Sequence, residues 1–205
     1  MCWVKARPRQ RLSRPANVVH DEGAHRIAII GWGSLIWDPK CLSFDRERGW
    51  EPGGPVLPVE FSRKSSNGRL TLVLDEVHGV AVGTRVATSD LGNVDLAVKN
   101  LASREEVFSD LQIGRIDVAS HIGRSRIQGI SERIARWGGA AGYTHAVWTD
   151  LPPMTGFTLE WAIEYLGTLR GSQLRRAREY IQKAPEEVET PLRIALRQRG
   201  WLDRR

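Results

Sequence analysis

Gly31-Trp-Gly-Ser-Leu-Ile-Trp37 is the most informative stretch of this 205-residue chain. It follows residues 27–30, a short isoleucine-rich run that is typical of a buried strand. A strand that runs into two glycines indicates a tight turn with exposed backbone N–H groups, because glycine leaves room for close approach. Such groups bind a carboxylate, a phosphate or a developing oxyanion, and the hydroxyl of Ser34 adds a further polar group.

The pattern of this turn argues against two familiar motifs. A dinucleotide-binding fingerprint needs a third glycine and a helix, but position 36 is isoleucine. A nucleophile elbow needs glycine two residues to either side of the serine, where this chain has Trp32 and Ile36. A ligand-binding turn and an ordinary turn at the end of a strand both stay open on the pattern alone.

The rest of the chain predicts a mixture of strands and helices. Ser65-Ser-Asn-Gly68 has the composition of a hairpin turn, and residues 51–55 have that of a loop. Thr190-Pro191 predicts the start of a helix. The predicted strands are residues 56–61, 70–74, 77–86 and 143–149. The other predicted helices are residues 91–105, 127–137, 159–169 and 174–184.

A helical face singles out one carboxylate. At ~100° per residue, one side of the predicted helix carries an apolar stripe of Leu91, Val94, Val98 and Leu101. Glu105 falls in the middle of that stripe, whereas Glu106 lies away from it. A carboxylate on an apolar face is costly to ionise, which makes Glu105 a candidate general acid–base.

Two alternatives stay open for Glu105. It can pair with Arg104 or another arginine, or the helix can end before it, in which case the argument from the helix face fails. The rival carboxylate is Glu60, on a predicted strand that can present it to either side.

The glycine turn resembles the tyrosine-glycine-serine-leucine loop of the gamma-glutamylcyclotransferase superfamily, and is closest to its ChaC-like branch, where an apolar residue and tryptophan follow. In the turn, Trp32 stands at the usual position of the family's tyrosine. Three further segments resemble that family in the same order along the chain. They are Phe61-Ser-Arg63 through Gly68-Arg69-Leu70-Thr-Leu72, Val77-His-Gly-Val-Ala81, and Leu101-Ala-Ser-Arg-Glu105.

The resemblance implies an α+β fold built on a small mixed β-barrel with C-terminal helices. The barrel would span residues 26–150, and residues 151–205 would form a helical annex of the same domain. It also implies an enzyme that releases 5-oxoproline from a gamma-glutamyl amine or peptide, with Glu105 as general acid–base and no cofactor. The expected substrate-binding residues are Gly31, Trp32, Gly33, Ser34, Leu35 and Arg63. The alternative is a non-catalytic small-molecule binding protein on the same fold.

Further side chains are candidates for the ligand cavity. Lys64 and Arg69, like Arg63, are possible anchors for an acidic substrate. The aromatic residues expected at its wall are Trp37, Tyr143 and Trp148.

Composition and charge narrow the partners. The net charge of +6 is concentrated at the two ends, and residues 1–25 are expected to be a disordered basic segment. A basic segment can bind nucleic acid, but the chain shows no aromatic RNA-binding signature and no helix-turn-helix pattern. Nucleic acid is therefore not the expected partner. Two isolated cysteines and no apolar signal region favour a cytoplasmic location without a membrane partner. The five histidines show no ligand spacing, so no metal is expected.

Overall fold

The computed structural model describes residues 25–202, which contain seven strands and five α-helices. The strands are β1 (Ile27–Gly31), β2 (Glu51–Lys64), β3 (Leu70–Leu74), β4 (Val80–Thr88), β5 (Ile113–Asp117), β6 (Gly123–Arg124) and β7 (His145–Thr149). The helices are α1 (Val94–Glu105), α2 (Ile130–Ala140), α3 (Leu159–Thr168), α4 (Gly171–Lys183) and α5 (Pro191–Gln198). The expected disordered segment 1–25 lies outside the described residues, apart from His25. Among residues 25–202, no helix has the length and apolar character that a membrane crossing requires.

The strands form one mixed sheet in the order β3-β2-β4-β1-β7-β5-β6. Strand β1 runs parallel to β7 and antiparallel to β4, and the remaining pairs are antiparallel. The α+β class is therefore confirmed, but the expected closed barrel is wrong, because no strand pairing joins the edge strands β3 and β6.

Side chains and loops, instead of a strand, occupy the outer edge beside β3. The indole Nε1 of Trp32 donates to the Leu72 carbonyl at 3.4 Å, and Arg126 Nη2 donates to the Leu74 carbonyl at 2.7 Å. A register shift in β2 also frees the Ser62 carbonyl, which accepts from the backbone N–H of Met154 at 2.8 Å. These contacts join the sheet edge to the turn after β1, to Arg126 and to the segment after β7 without closing a ladder.

Strand β1 is buried on both faces of the sheet. Ala28 and Ile30 belong to a large core shared with the C-terminal helices, whereas Ile27 and Ile29 pack into a smaller core beneath α1. This explains why residues 27–30 read as a continuous apolar run instead of an alternating one. Each buried isoleucine contributes roughly 1.5–3 kcal/mol of transfer free energy.

Strand β2 begins earlier than the sequence predicts. Residues 51–55, expected to be a loop, form its first part, and their pairing with β4 shifts register between Pro52 and Val56. Glycine is required at position 54, because a Cβ there would lie 2.5 Å from the Thr84 hydroxyl oxygen. The shift accommodates prolines that cannot donate to a ladder, which is why composition alone predicts a loop here.

Capping side chains set the starts of two helices. Helix α1 begins at Val94, not at 91 as predicted, because the side chain of Asn93 accepts from the Leu96 backbone N–H at 3.0 Å. The predicted start at Thr190-Pro191 is confirmed, since Thr190 caps α5 and proline occupies its first turn.

Glu60 joins α5 to the sheet and is not among the lining residues of the cavity that contains Glu105. It is only 1% exposed, and its carboxylate accepts from the backbone N–H groups of Phe61 at 2.7 Å and Leu192 at 3.2 Å. Burial raises the pKa of Glu60 above the usual range, against the hydrogen bonds from Thr190, Phe61 and Leu192 that lower it. Its location makes it a structural anchor for the start of α5.

The raised pKa of Glu60 predicts a pH-dependent contribution to stability. A carboxyl whose pKa is higher in the folded state stabilises the fold below its unfolded pKa, and this contribution is lost as pH rises through the folded pKa. Glu60→Gln cannot ionise, so its stability has no such loss. As the pH rises from 4 to 8, the free energy of unfolding of the variant should therefore increase relative to that of the unmodified protein. Urea denaturation across that range measures the difference, with the exposed Glu47→Gln as control. Parallel pH curves for the Glu60 variant and the unmodified protein would contradict the prediction.

Candidate functional site

A cavity of about 530 Å³ opens between the turn after β1, the β2–β3 hairpin, the end of α1, the end of β7 and helix α4. Its polar and charged lining residues are Ser34, Asp38, Lys40, Arg63, Ser65, Ser66, Asn67, Arg69, Thr71, Arg104, Glu105, Glu106, Thr149 and Tyr180. Its other lining residues are Trp32, Gly33, Leu35, Trp37, Leu72, Val73, Val107 and Leu151.

The turn after β1 contributes Gly33, Ser34 and Leu35 to the lining of this cavity. Its own hydrogen bonds run from Ile36 N–H to the Gly33 carbonyl at 3.0 Å and from Asp38 N–H to the Ser34 carbonyl at 2.9 Å. The N–H groups of Gly33, Ser34 and Leu35 donate to no acceptor among residues 25–202. Three neighbouring donors beside a cavity are free to bind an anionic or carbonyl oxygen of a ligand.

The two glycines of the turn have different roles. A Cβ at Gly33 would lie 3.1 Å from the Tyr180 hydroxyl oxygen, so a side chain there would enter the cavity. Gly31 does not line the cavity, and a Cβ there would lie 2.7 Å from the indole ring of Trp50. The absence of a side chain thus serves the site at position 33 and core packing at position 31.

Arg104 ties the end of α1 to the turn. Its side chain is 5% exposed, and Nη2 donates to the Ser34 hydroxyl at 3.1 Å and to the Asp38 carbonyl at 2.6 Å. Nη1 donates to Glu105 Oε1 at 2.8 Å. The sequence suggested Arg104 only as a pairing partner for Glu105. Its contacts with Ser34 and Asp38 have no local sequence signal, because these residues lie far from Arg104 in the chain.

Glu105 is the last residue of α1 and its carboxylate lies in the cavity. The side chain is 16% exposed, and Oε1 accepts from Arg104 and, at 3.2 Å, from the hydroxyl of Thr149 at the end of β7. Oε2 accepts no hydrogen bond from residues 25–202. The helix therefore does reach Glu105, the pairing with Arg104 is present, and one carboxylate oxygen is available to a ligand.

Glu106 differs sharply from its neighbour. It caps α1 in the left-handed region at φ 57°, which turns its side chain outwards to the rim, where it is 76% exposed and pairs with Lys40 at 2.6 Å. The hydrogen bond and charge of Lys40 lower the pKa of Glu106 below its usual range. The change of backbone conformation between these two residues separates an inward carboxylate from an outward one.

The β2–β3 hairpin supplies the cationic wall. Arg63 lines the cavity and donates to the Pro152 carbonyl at 3.1 Å, while Arg69 donates to Asn67 Oδ1 at 3.1 Å with its guanidinium 5.1 Å from the Tyr180 ring centre. Lys64 is not in the wall, because its ammonium group lies over the ring of Tyr165 at 4.3 Å. Two arginines and a carboxylate in one cavity suit a ligand with both acidic and ammonium groups.

Not every aromatic residue expected at the wall is found there. Trp37 lines the cavity, but Trp148 is fully buried in the core and Tyr143 stacks on Trp137, away from the site. The wall residue that sequence reasoning missed is Tyr180 of α4. The sequence signal that could have indicated it is a tyrosine on the apolar face formed by Ala177, Tyr180 and Ile181. A buried tyrosine hydroxyl needs a polar neighbour, and a ligand cavity can provide one.

No family model and no curated protein matches this chain. Among residues 25–202, no group of three histidine, cysteine, aspartate or glutamate side chains is arranged to hold a metal ion.

The buried position of Arg104 predicts that the turn depends on it. Arg104→Gln removes the charge-assisted hydrogen bonds to Asp38 and Glu105, so the free energy of unfolding should fall by at least about 1.5–3 kcal/mol. The control is Arg115→Gln, which breaks a solvent-exposed ion pair with Asp95 and should cost about 1 kcal/mol or less. Urea denaturation measures both, and equal losses would show that the bridge is not structural.

Proposed function

We propose that this chain is a gamma-glutamylcyclotransferase-like enzyme, independent of any cofactor, that releases 5-oxoproline from a small gamma-glutamyl amine or peptide. The observation that carries the proposal is the free carboxylate oxygen of Glu105 in one cavity with the unpaired N–H groups of Gly33, Ser34 and Leu35. The family resemblance of the same two segments supports it, with an open sheet here in place of the family's barrel. A cytoplasmic location suits such an enzyme.

The reaction divides between a base and a set of donors. Glu105 Oε2 accepts a proton from the α-ammonium group of the glutamyl head, and the neutral amine attacks the γ-carbonyl carbon. A carbon–nitrogen bond forms and the carbonyl oxygen becomes an oxyanion, which the N–H groups of the turn stabilise. The bond to the leaving nitrogen then breaks as Glu105 returns the proton to it, and the attacking nitrogen gives up its second proton through Glu105 to the released amine, which leaves as an ammonium ion. No water is consumed, and 5-oxoproline and the free amine leave.

Binding of the glutamyl head uses the two arginines and the carboxylate of the cavity. Arg63 and Arg69 attract the α-carboxylate, while Glu105 faces the α-ammonium group. Since nucleophile and electrophile belong to one molecule, fixing its conformation lowers the entropic part of the barrier. The cavity therefore contributes by orientation, proton transfer and charge stabilisation, without a covalent enzyme intermediate.

A second candidate function is non-catalytic binding of a small amino acid derivative. The observation that favours it is the 2.8 Å ion pair between Arg104 and Glu105. A carboxylate already paired with arginine can serve to fix an ammonium group in place instead of accepting its proton. The two candidates share the ligand class and differ in whether the ligand is converted.

Incubation with a panel of gamma-glutamyl amines and peptides tests the choice between these functions. We expect at least one compound to yield 5-oxoproline, read out by mass spectrometry, at a rate proportional to enzyme concentration. Binding detected by calorimetry without product would favour the binding protein. Neither binding nor product across the panel would contradict both candidates.

Glu105→Gln tests the role of the carboxylate. Glutamine keeps the size and the hydrogen bond to Arg104 but cannot accept the proton, so kcat should fall by about 10²–10⁴-fold while KM changes less. The matched control is Glu106→Gln, the neighbouring residue that pairs with Lys40 at the rim, which should keep most of the activity. Full activity in Glu105→Gln, or similar losses in both variants, would rule out Glu105 as the acid–base.

A further inference from the structure

Helix α4 of the C-terminal annex inserts one tyrosine into the cavity. Tyr180 is 5% exposed, lines the cavity, and packs edge-on against Trp37 with ring centres 5.4 Å apart and against Phe61 at 6.3 Å. The guanidinium of Arg69 lies 5.1 Å from its ring centre. Aromatic contacts on several sides fix the direction of the phenol group, so its hydroxyl has a defined position in the site.

That position is beside the turn that carries the free N–H groups. A Cβ built on Gly33 would lie 3.1 Å from the Tyr180 hydroxyl oxygen, with the Leu72 side chain as the next neighbour. A phenol carries one O–H donor, which can turn towards an oxygen in this space. The space next to Gly33 is where a ligand oxygen bound by the turn would lie.

The phenol is held in its protonated form. Burial raises the pKa of Tyr180, and the negative charge of Glu105 raises it further, against the smaller effects of Leu72, Arg69 and Arg104 that lower it. A group in this state donates a hydrogen bond without losing its proton. Glu105 and Tyr180 line the same cavity, so base and phenol belong to one site.

We propose that Tyr180 is a catalytic residue that donates a hydrogen bond to the γ-carbonyl oxygen as it becomes an oxyanion. This inference rests on the proposed function. The proton stays on Tyr180 throughout, so proton transfer remains between Glu105 and the two substrate nitrogens, while Tyr180 joins the N–H groups of residues 33–35 as a further oxyanion donor. The C-terminal annex thereby contributes a donor to a site otherwise built from the turn after β1, the hairpin, the end of α1 and the end of β7.

Tyr180→Phe tests the proposal because it keeps the ring and removes only the donor. The loss of one oxyanion donor should lower kcat by about 10²–10³-fold with little change in KM, since the hydrogen bond strengthens in the transition state. The pH profile of kcat should keep its shape, because Glu105 is still the acid–base. The control is Tyr143→Phe, which removes a buried hydroxyl bonded to Thr88 at 3.2 Å outside the cavity. It should keep full kcat, and circular dichroism melting checks that both variants fold.

The outcomes separate this inference from the function on which it rests. If the unmodified protein forms no 5-oxoproline from any gamma-glutamyl compound, the proposed function fails and the role of Tyr180 fails with it. If the unmodified protein is active and Tyr180→Phe has the same kcat, only the inference is overturned. A raised KM with unchanged kcat also overturns it, because Tyr180 would then bind the ground state alone. An equal loss in Tyr143→Phe would assign the effect to packing.

Discussion

The buried guanidinium of Arg104 is the interaction on which the site depends. It joins two parts that are separate in the sequence: the turn after β1, at the Ser34 hydroxyl and the Asp38 carbonyl, and the carboxylate at the end of α1. Removing a charge from water is costly, and the cost is offset here by directed hydrogen bonds to a carbonyl, a hydroxyl and an anion. The distance between the donor turn and Glu105 is consequently set by one planar group.

This arrangement lets neighbouring residues act differently. The ion pair occupies Oε1 of Glu105 and leaves Oε2 to a ligand, while the left-handed cap at Glu106 directs the next carboxylate to the rim. The turn shows a similar division, since its carbonyls close its own hydrogen bonds and its first N–H groups remain open. Rigid positioning by the protein's own bonds is what leaves the unpaired groups ready for a substrate.

Local signals in the sequence predicted local structure well. The strand at 27–30, the hairpin turn before Arg69, the cap at Thr190 and the inward direction of Glu105 each follow from spacing or from a few adjacent residues. The closure of the sheet and the contribution of Tyr180 were not predictable in this way. Both depend on contacts between distant segments, and the period of α4 shows an apolar face without showing what that face covers. The barrel was expected by family likeness alone, and the edge beside β3 is filled by side chains instead.

The occupied edge of β3 has a consequence for the behaviour of the protein at high concentration. An edge strand with free backbone groups can recruit a strand from another molecule and begin ordered aggregation. On β3, the Leu72 carbonyl already accepts from the indole of Trp32 and the Leu74 carbonyl from Arg126, so these acceptors offer no template for such pairing. Trp32, which lines the cavity, thereby also hinders the molecules from joining edge to edge, and resistance to aggregation is tied to the integrity of the pocket.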